Sequence, residues 1–231
     1  MQVLLNDPGR LNAALRDELE AAIQRVVRSG YYILGEEVSA FEAEFAAFCG
    51  TRHCIGVGNG TDALELALKA LDLKPGERVA TVANAGMYGT AAILAVGARP
   101  LFIDIDPATM NMSAASLAEQ IDETTKAVIV THLYGQLADM EGLQTIARQH
   151  GLSLIEDCAQ AHGAARDGQR AGGFGDIGCY SFYPTKNLGA LGDGGALVTN
   201  DEDLKERLMA MRLLITGFRF WSMADWTALI V

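Results

Sequence analysis

The clearest candidate for covalent chemistry is a lysine set after aromatics and a proline and ahead of small residues. It is Lys186, in Ser181-Phe182-Tyr183-Pro184-Thr185-Lys186-Asn187, followed by Gly189-Ala190-Leu191-Gly192-Asp193-Gly194-Gly195. A desolvated lysine amine condenses with aldehydes, and the glycines let a flat ligand come close to the backbone. Taken alone, the stretch reads first as a surface lysine in a loop, the usual place for this residue type. A second candidate, Asp157, follows the apolar run Leu152 to Ile155. A carboxylate half-buried there needs a partner, which is an arginine, a helix N-terminus or the protonated nitrogen of a heterocycle. The third is Gly58-Asn59-Gly60-Thr61-Asp62, between an apolar strand, Cys54 to Val57, and a helix, Ala63 to Leu71. Strand, glycine turn and helix start present N–H groups and the positive end of a dipole to a phosphate. They also make a capped helix with Thr61 or Asp62 near its start. A dinucleotide fingerprint is almost spelled from Gly56 to Gly60, but Thr61 stands where its third glycine belongs. With the hydroxyl of Ser181 added to the phosphate cup, the set is an amine for an aldehyde, an acid for a ring nitrogen and a seat for a phosphate. Pyridoxal phosphate needs those groups.

These residues need a frame. Apolar runs predict strands at Cys54–Val57, Arg78–Val82, Arg99–Ile103, Ala127–Val130, Leu152–Ile155, Ile177–Ser181 and Ala196–Val198. Three- and four-residue spacing of apolar side chains predicts helices over 11–28, 37–48, 63–71, a stretch through Ala91 and Val96, 113–120, 139–150 and 201–214. The alternation predicts an α/β fold. It is a three-layer sandwich with a mostly parallel seven-stranded sheet and helices on both faces. Such sheets bind ligands beyond the carboxyl ends of their strands. Thr61, Asp62, the Met87-Tyr88 loop, His132 and Asp157 all fall at strand ends. His132 reads as a hydrogen-bonded structural histidine in preference to a catalyst.

Bulk properties narrow the partners. A formal net charge of −11 over 231 residues argues against nucleic acid, which needs a basic surface. The N-terminus lacks a basic segment followed by an apolar run, so no secretory signal is expected. No stretch approaches the roughly 18 apolar residues of a membrane span. Cys49, Cys54, Cys158 and Cys179 follow no metal-ligand spacing and are expected reduced and mostly buried, in a cytoplasmic protein with no metal site.

The motifs, in order, resemble the sugar aminotransferases of the DegT/DnrJ/EryC1/StrS family. They are Ser29 to Gly35, Asn59 to Leu64, Phe102 to Pro107, His132-Leu133-Tyr134-Gly135, Ile155 to Gly163, Ser181 to Asn187 and Gly192 to Gly195. The resemblance implies a pyridoxal phosphate enzyme with the aspartate aminotransferase-like fold. It implies Lys186 as the covalent lysine and proton carrier, Asp157 as partner of the ring nitrogen, and Gln160 beside the ring. Ser181 and the helix start at Gly60, Thr61 and Asp62 would hold the phosphate. The implied reaction moves an amino group, usually from glutamate, onto a keto sugar linked to a nucleotide, in a homodimer. Lysine at position 186 also separates this chain from the superfamily's deoxygenating relatives, which carry histidine there.

Two departures accompany the resemblance. Met87 falls where the ring-stacking aromatic is expected, and Tyr88 comes one place late, so either residue 87 or residue 88 is expected against the cofactor. The motif resemblance stops near Arg212. That divides the chain into a cofactor-binding large domain with an N-terminal helical segment, 1–212, and an unfamiliar tail, 213–231, with the family's small C-terminal domain expected to be missing. A catalytically inactive remnant that at most binds the cofactor is the alternative expectation.

Overall fold

The computed structural model describes residues 6–222. The helices are α1 (Pro8–Asn12), α2 (Arg16–Ser29), α3 (Glu36–Cys49), α4 (Gly60–Ala70), α5 (Tyr88–Ala95), α6 (Ala114–Gln120), α7 (Met140–His150) and α8 (Glu202–Ser222). The strands are β1 (His53–Val57), β2 (Arg78–Val82), β3 (Arg99–Ile103), β4 (Thr125–Thr131), β5 (Ser153–Asp157), β6 (Ala165–Arg166), β7 (Gln169–Arg170), β8 (Ile177–Ser181) and β9 (Gly195–Thr199).

The predicted seven strands form one sheet in the order β1-β9-β8-β5-β4-β2-β3. β3, β2, β4, β5 and β8 pair in parallel. β9 is antiparallel to both β8 and β1, so β9 alone runs against the others. That reversal returns β1 to the common direction. Its carboxyl end therefore opens on the same edge as those of β5 and β8. Gly195 pairs with Val57 on one side and Ser181 on the other, which aligns the α4 turn with the start of the lysine loop.

Side chains alternate across the strands. Ile55, Ile129, Ile155, Ile177 and Leu197 pack with Leu64, Leu68 and Ile93 of α4 and α5 and with Leu208 of α8. On the other face, Val128, Val130 and Leu154 pack with Leu117 of α6 and with Met140 and Leu143 of α7. Tyr180 and Val198 meet Phe45 and Cys49 of α3 on that same face. The result is the expected helix–sheet–helix sandwich. All four cysteines are buried free thiols. Among the described residues, no helix is long and apolar enough to cross a membrane.

The structure revises three local expectations. The single helix expected over 11–28 is broken: α1 is capped by Asp7, a 3-10 turn follows at Ala13–Leu15, and α2 begins only at Arg16. No described residue of α2 is buried, and Val27 is 60% exposed. Its apolar face finds nothing to pack against among residues 6–222. Second, a small hairpin, β6–β7, turns through Asp167 (φ +53°) and Gly168 (φ +81°). Asp-Gly is the preferred pair for a two-residue turn with both φ positive. Third, the stretch from residue 213 continues α8 as helix to Ser222. The remainder of that expected tail, 223–231, lies outside the described residues.

Helix α4 sits close against the sheet edge because glycines permit it. A Cβ on Gly60 would lie 2.6 Å from Ser181 Cβ, and one on Gly195 would lie 2.3 Å from the carbonyl oxygen of Asn59. The second clash is with backbone, which cannot rotate away. Gly195→Ala is expected to lower unfolding free energy by about 1–3 kcal/mol in a denaturant melt. Gly192→Ala, where a Cβ meets nothing within 4 Å, is expected to stay within about 0.5 kcal/mol of wild type.

Candidate active site

A cavity of about 550 Å³ opens at the carboxyl edge of β1, β5 and β8. Its walls include Gly60 and Thr61 of α4, Tyr88 of α5, Asp157, Ser181 and Lys186. A larger groove of about 730 Å³ lies beside it, lined mainly by apolar side chains such as Ile33, Val38 and Phe41. Among its described lining residues there is no lysine or serine; Lys186, Asp157 and Ser181 line the smaller cavity.

At the α4 end, Asn59 is the cap. Its backbone is extended (φ −166°), and its Oδ1 accepts the N–H of Asp62 at 2.9 Å. The helix therefore starts three residues before the expected Ala63, and neither Thr61 nor Asp62 is the capping residue. The first-turn N–H groups of Gly60 and Thr61 have no intrahelical acceptor. Beside them is the buried Ser181. The arrangement is an anion seat made of main-chain donors, a hydroxyl and a helix dipole. Asp62 joins the seat differently than expected. Its N–H is taken by Asn59 Oδ1, and its carboxylate accepts from Asn59 Nδ2 at 3.0 Å. A carboxylate cannot hold a like-charged phosphate, so Asp62 fixes the cap instead.

Across the cavity, Asp157 Oδ1 accepts the N–H of Ala159 at 3.1 Å, and Oδ2 faces Thr131 Oγ1 at 3.4 Å. Among the described residues it enters no salt bridge. Burial pushes its carboxyl group above the ordinary range, while the Ala159 N–H and the charge of Lys186 pull the other way. Its neighbour Glu156 is treated oppositely. Glu156 is fully buried, yet it accepts N–H bonds from Gly172 (2.8 Å), Phe174 (2.8 Å) and Gly175 (2.6 Å) and pairs with His132 Nε2 at 2.8 Å. His132 Nδ1 accepts the N–H of Ala138 at 3.2 Å, so the ring's proton sits on Nε2. His132 is thus a saturated structural histidine. His132, Glu156 and Cys158 cluster within reach of a common metal ion, but these hydrogen bonds already occupy the nitrogens of His132 and both oxygens of Glu156.

Lys186 stands on a tight turn. Its N–H bonds to the carbonyl of Tyr183 at 2.8 Å, with Pro184 at the second position, where the fixed φ of proline suits a turn. Gly189 folds under this turn: a Cβ there would fall 2.5 Å from the Pro184 carbonyl oxygen. Of the remaining expected residues, Met87 is not on the cavity wall. It precedes α5 and is 80% exposed, whereas Tyr88, the first residue of α5, lines the cavity. Gly86 makes that possible, since a Cβ on it would strike the Tyr88 ring at 2.9 Å. Gln160 is also off the wall. Its Oε1 accepts the N–H of Tyr134 at 2.9 Å, anchoring the end of β4, with Tyr134 in the left-handed region (φ +57°). Sequence reasoning did not single out Asn59, Tyr183, Thr185 or Asp193, all of which line the cavity. Only Asn59 had a signal, as an Asn three residues before the N–H it caps.

Comparison with known proteins bears on this geometry. The profile of the DegT/DnrJ/EryC1/StrS aminotransferase family matches residues 13–222.

The chain belongs to that family.

The match passes Arg212, where the recognisable motifs end, and runs to the last turn of α8. Among relatives of this DegT/DnrJ/EryC1/StrS member is the dTDP-3-amino-3,6-dideoxy-alpha-D-galactopyranose transaminase of Aneurinibacillus thermoaerophilus. It is 48% identical over 206 residues, covering 89% of this chain and 57% of the relative. The crystal structure of S. venezuelae DesV, in complex with a ketimine intermediate, superposes with a TM-score of 0.89 at 43% identity. That match covers 91% of this chain and 57% of DesV. The structure of NtdA from Bacillus subtilis, with bound cofactor PMP, gives 0.82 at 33% identity, covering 90% of this chain and 47% of NtdA. The chain therefore spans about half the length of the relatives it matches.

The strain at Asp157 is testable without any ligand. With its folded pKa raised above the unfolded value, the ionised carboxylate is penalised at neutral pH, and that penalty fades as pH falls through the folded pKa. Asp157→Asn is expected to melt higher than wild type at pH ~7, with the difference vanishing by pH ~4, near the ordinary carboxylate value. A lower melting temperature for the variant at neutral pH, read by calorimetry, would show the carboxylate already paired.

Proposed function

We propose that this chain carries the cofactor-binding part of a pyridoxal phosphate-dependent aminotransferase. The proposed cofactor-binding unit is residues 1–212. The amino acceptor is a nucleotide-linked keto sugar and the donor is an amino acid, glutamate by the family resemblance. One observation carries this reading: Lys186 and a buried Asp157, which enters no salt bridge among the described residues, share a cavity with the α4 helix start and Ser181. The residues fit the cofactor. Gly60 leaves open the volume a Cβ would fill against Ser181, and Asp157 lacks the cation a protonated pyridine would provide.

Pyridoxal phosphate, when bound, supplies an aldehyde that takes up amines and a ring that draws electrons from the attached carbon. The chain's residues have separable roles. The N–H groups of Gly60 and Thr61 and the hydroxyl of Ser181 hold the phosphate. Asp157 holds a proton at the ring nitrogen, and the pairing relieves its own desolvation. Tyr88 covers a face of the ring and excludes water from it. Lys186 Nζ would be the amine that holds the aldehyde and, when free, would carry a proton as general base and then acid. We further propose that the protein works in the cytoplasm as a homodimer. The nucleotide-linked substrate is supported by the A. thermoaerophilus relative, a dTDP-3-amino-3,6-dideoxy-alpha-D-galactopyranose transaminase.

Adding pyridoxal phosphate to the protein is expected to produce a visible absorbance band that Lys186→Ala abolishes. Failure of any band to form sinks the proposal. A Lys186-dependent band with no amino transfer to any nucleotide-linked keto sugar would instead favour a cofactor-binding remnant. In the same titration, Tyr88→Ala is expected to weaken cofactor binding about 3- to 10-fold, the loss of one ring contact of ~0.5–1.5 kcal/mol. Met87→Ala is expected to leave it unchanged, and equal effects of the two would return the ring contact to Met87.

A further inference from the structure

Behind the lysine turn is an imidazole that the proposed chemistry does not use. His162 is wedged between Tyr180 and Phe182, with ring centroids 5.3 and 5.4 Å away and both pairs tilted at 53°. Those two residues flank Ser181, and alternation along the strand turns them away from the face that Ser181 presents to α4. The imidazole therefore sits across the strand from the phosphate seat. Both its nitrogens are buried and, among the described residues, meet no hydrogen-bond partner in good geometry, which is uncommon for buried polar atoms. The polar groups beside them are the side chain of Asn187 and the main chain of Ser181. Burial first, and then the nearby charge of Lys186, lower the ring's pKa to about 4. At neutral pH it offers one N–H donor and one acceptor nitrogen. That pair suits its surroundings, the main chain of Ser181 and the side-chain amide of Asn187.

The turn has need of such a strut. Residues 183–189 are closed at their base by the N–H of Ala190 on the carbonyl of Phe182 at 2.7 Å. Within the loop, Lys186 N–H to Tyr183 is a purely local bond. We propose that His162 is a positioning residue for Lys186, its imidazole tying Asn187 to the main chain of Ser181 and so setting where the lysine turn stands beside Asp157. The catalytic consequence rests on Lys186 being the covalent lysine, but the structural link does not.

Two variants separate packing from polarity in the full 231-residue chain. His162→Phe keeps a ring between Tyr180 and Phe182 and removes both nitrogens, while His162→Gln keeps a donor and an acceptor. Without cofactor, His162→Phe is expected to speed amide hydrogen exchange of 184–189 about 5- to 10-fold, as for the loss of one hydrogen bond, with the sheet unchanged. His162→Gln is expected to recover part of that protection. With cofactor added, the Lys186-dependent visible band is expected to be weaker in His162→Phe and partly restored in His162→Gln. Wild-type exchange over 184–189 in His162→Phe overturns the proposal. Should that variant not fold, Asn187→Ala, which removes the other end of the strut from an exposed position, must loosen the same segment, and unchanged exchange there overturns it equally. If the wild type forms no Lys186-dependent band, the assignment of Lys186 fails, while the exchange result still decides whether His162 holds the turn.

Discussion

Main-chain contact between the start of α4 and the ends of β8 and β9 governs the rest of the site. Gly60 lies against Ser181, and Gly195 lies against the carbonyl of Asn59, at separations that leave no room for a Cβ. Only this seating brings the first-turn N–H groups of the helix next to a strand-end hydroxyl. It depends in turn on the reversed strand β9, which returns β1 to the direction of β5 and β8. Were β1 to run the other way, the α4 turn would emerge at the opposite edge of the sheet, far from Asp157 and Lys186.

Adjacent carboxylates in β5 show how burial can be met in two ways. Alternation sends Glu156 to one face and Asp157 to the other. Glu156 is wrapped by three main-chain N–H groups and the Nε2–H of His132, so its charge is carried by the fold itself. That network also pins 172–175 and the end of β4 to the sheet. Asp157 receives one N–H and a long hydroxyl contact, and its protonation equilibrium is displaced by burial. One acid is spent on architecture; the other retains an electrostatic deficit that a cationic ring would cancel. Perturbed carboxyls in clefts are often functional for this reason.

The wall of the cavity carries more negative than positive charge. Asp62, Glu65, Asp157 and Asp193 line it with Lys186 as the single basic side chain among the described lining residues. Two of the acids are partly neutralised: Glu65 pairs with Lys69 at 2.6 Å, and Asp62 is held by Asn59. An anion seated at α4 must therefore rely on N–H dipoles more than on net charge, which is consistent with a main-chain cup.

What was legible in the sequence was set by short-range physics. Short apolar runs marked all seven strands of the sheet and three- and four-residue apolar spacing marked most helices, while a lysine after Tyr-Pro-Thr, an acid at a strand end and a glycine turn before a helix marked the chemistry. What the sequence left open depended on contacts between distant segments. It allowed either residue 87 or residue 88 as the ring contact; in the fold Tyr88, the first residue of α5, lines the cavity and Met87 does not. The side chains of Asp62 and Gln160, expected near the phosphate and the ring, bond to Asn59 and to the Tyr134 N–H, partners that only the fold brings to them. The apolar spacing of 11–28 promised a buried face, but burial requires an opposing surface, and among the described residues none is there. Local patterns determine which elements form and which residue types are available for chemistry. The approach of one backbone to another, permitted at a few glycines, decides which of those residues share a cavity.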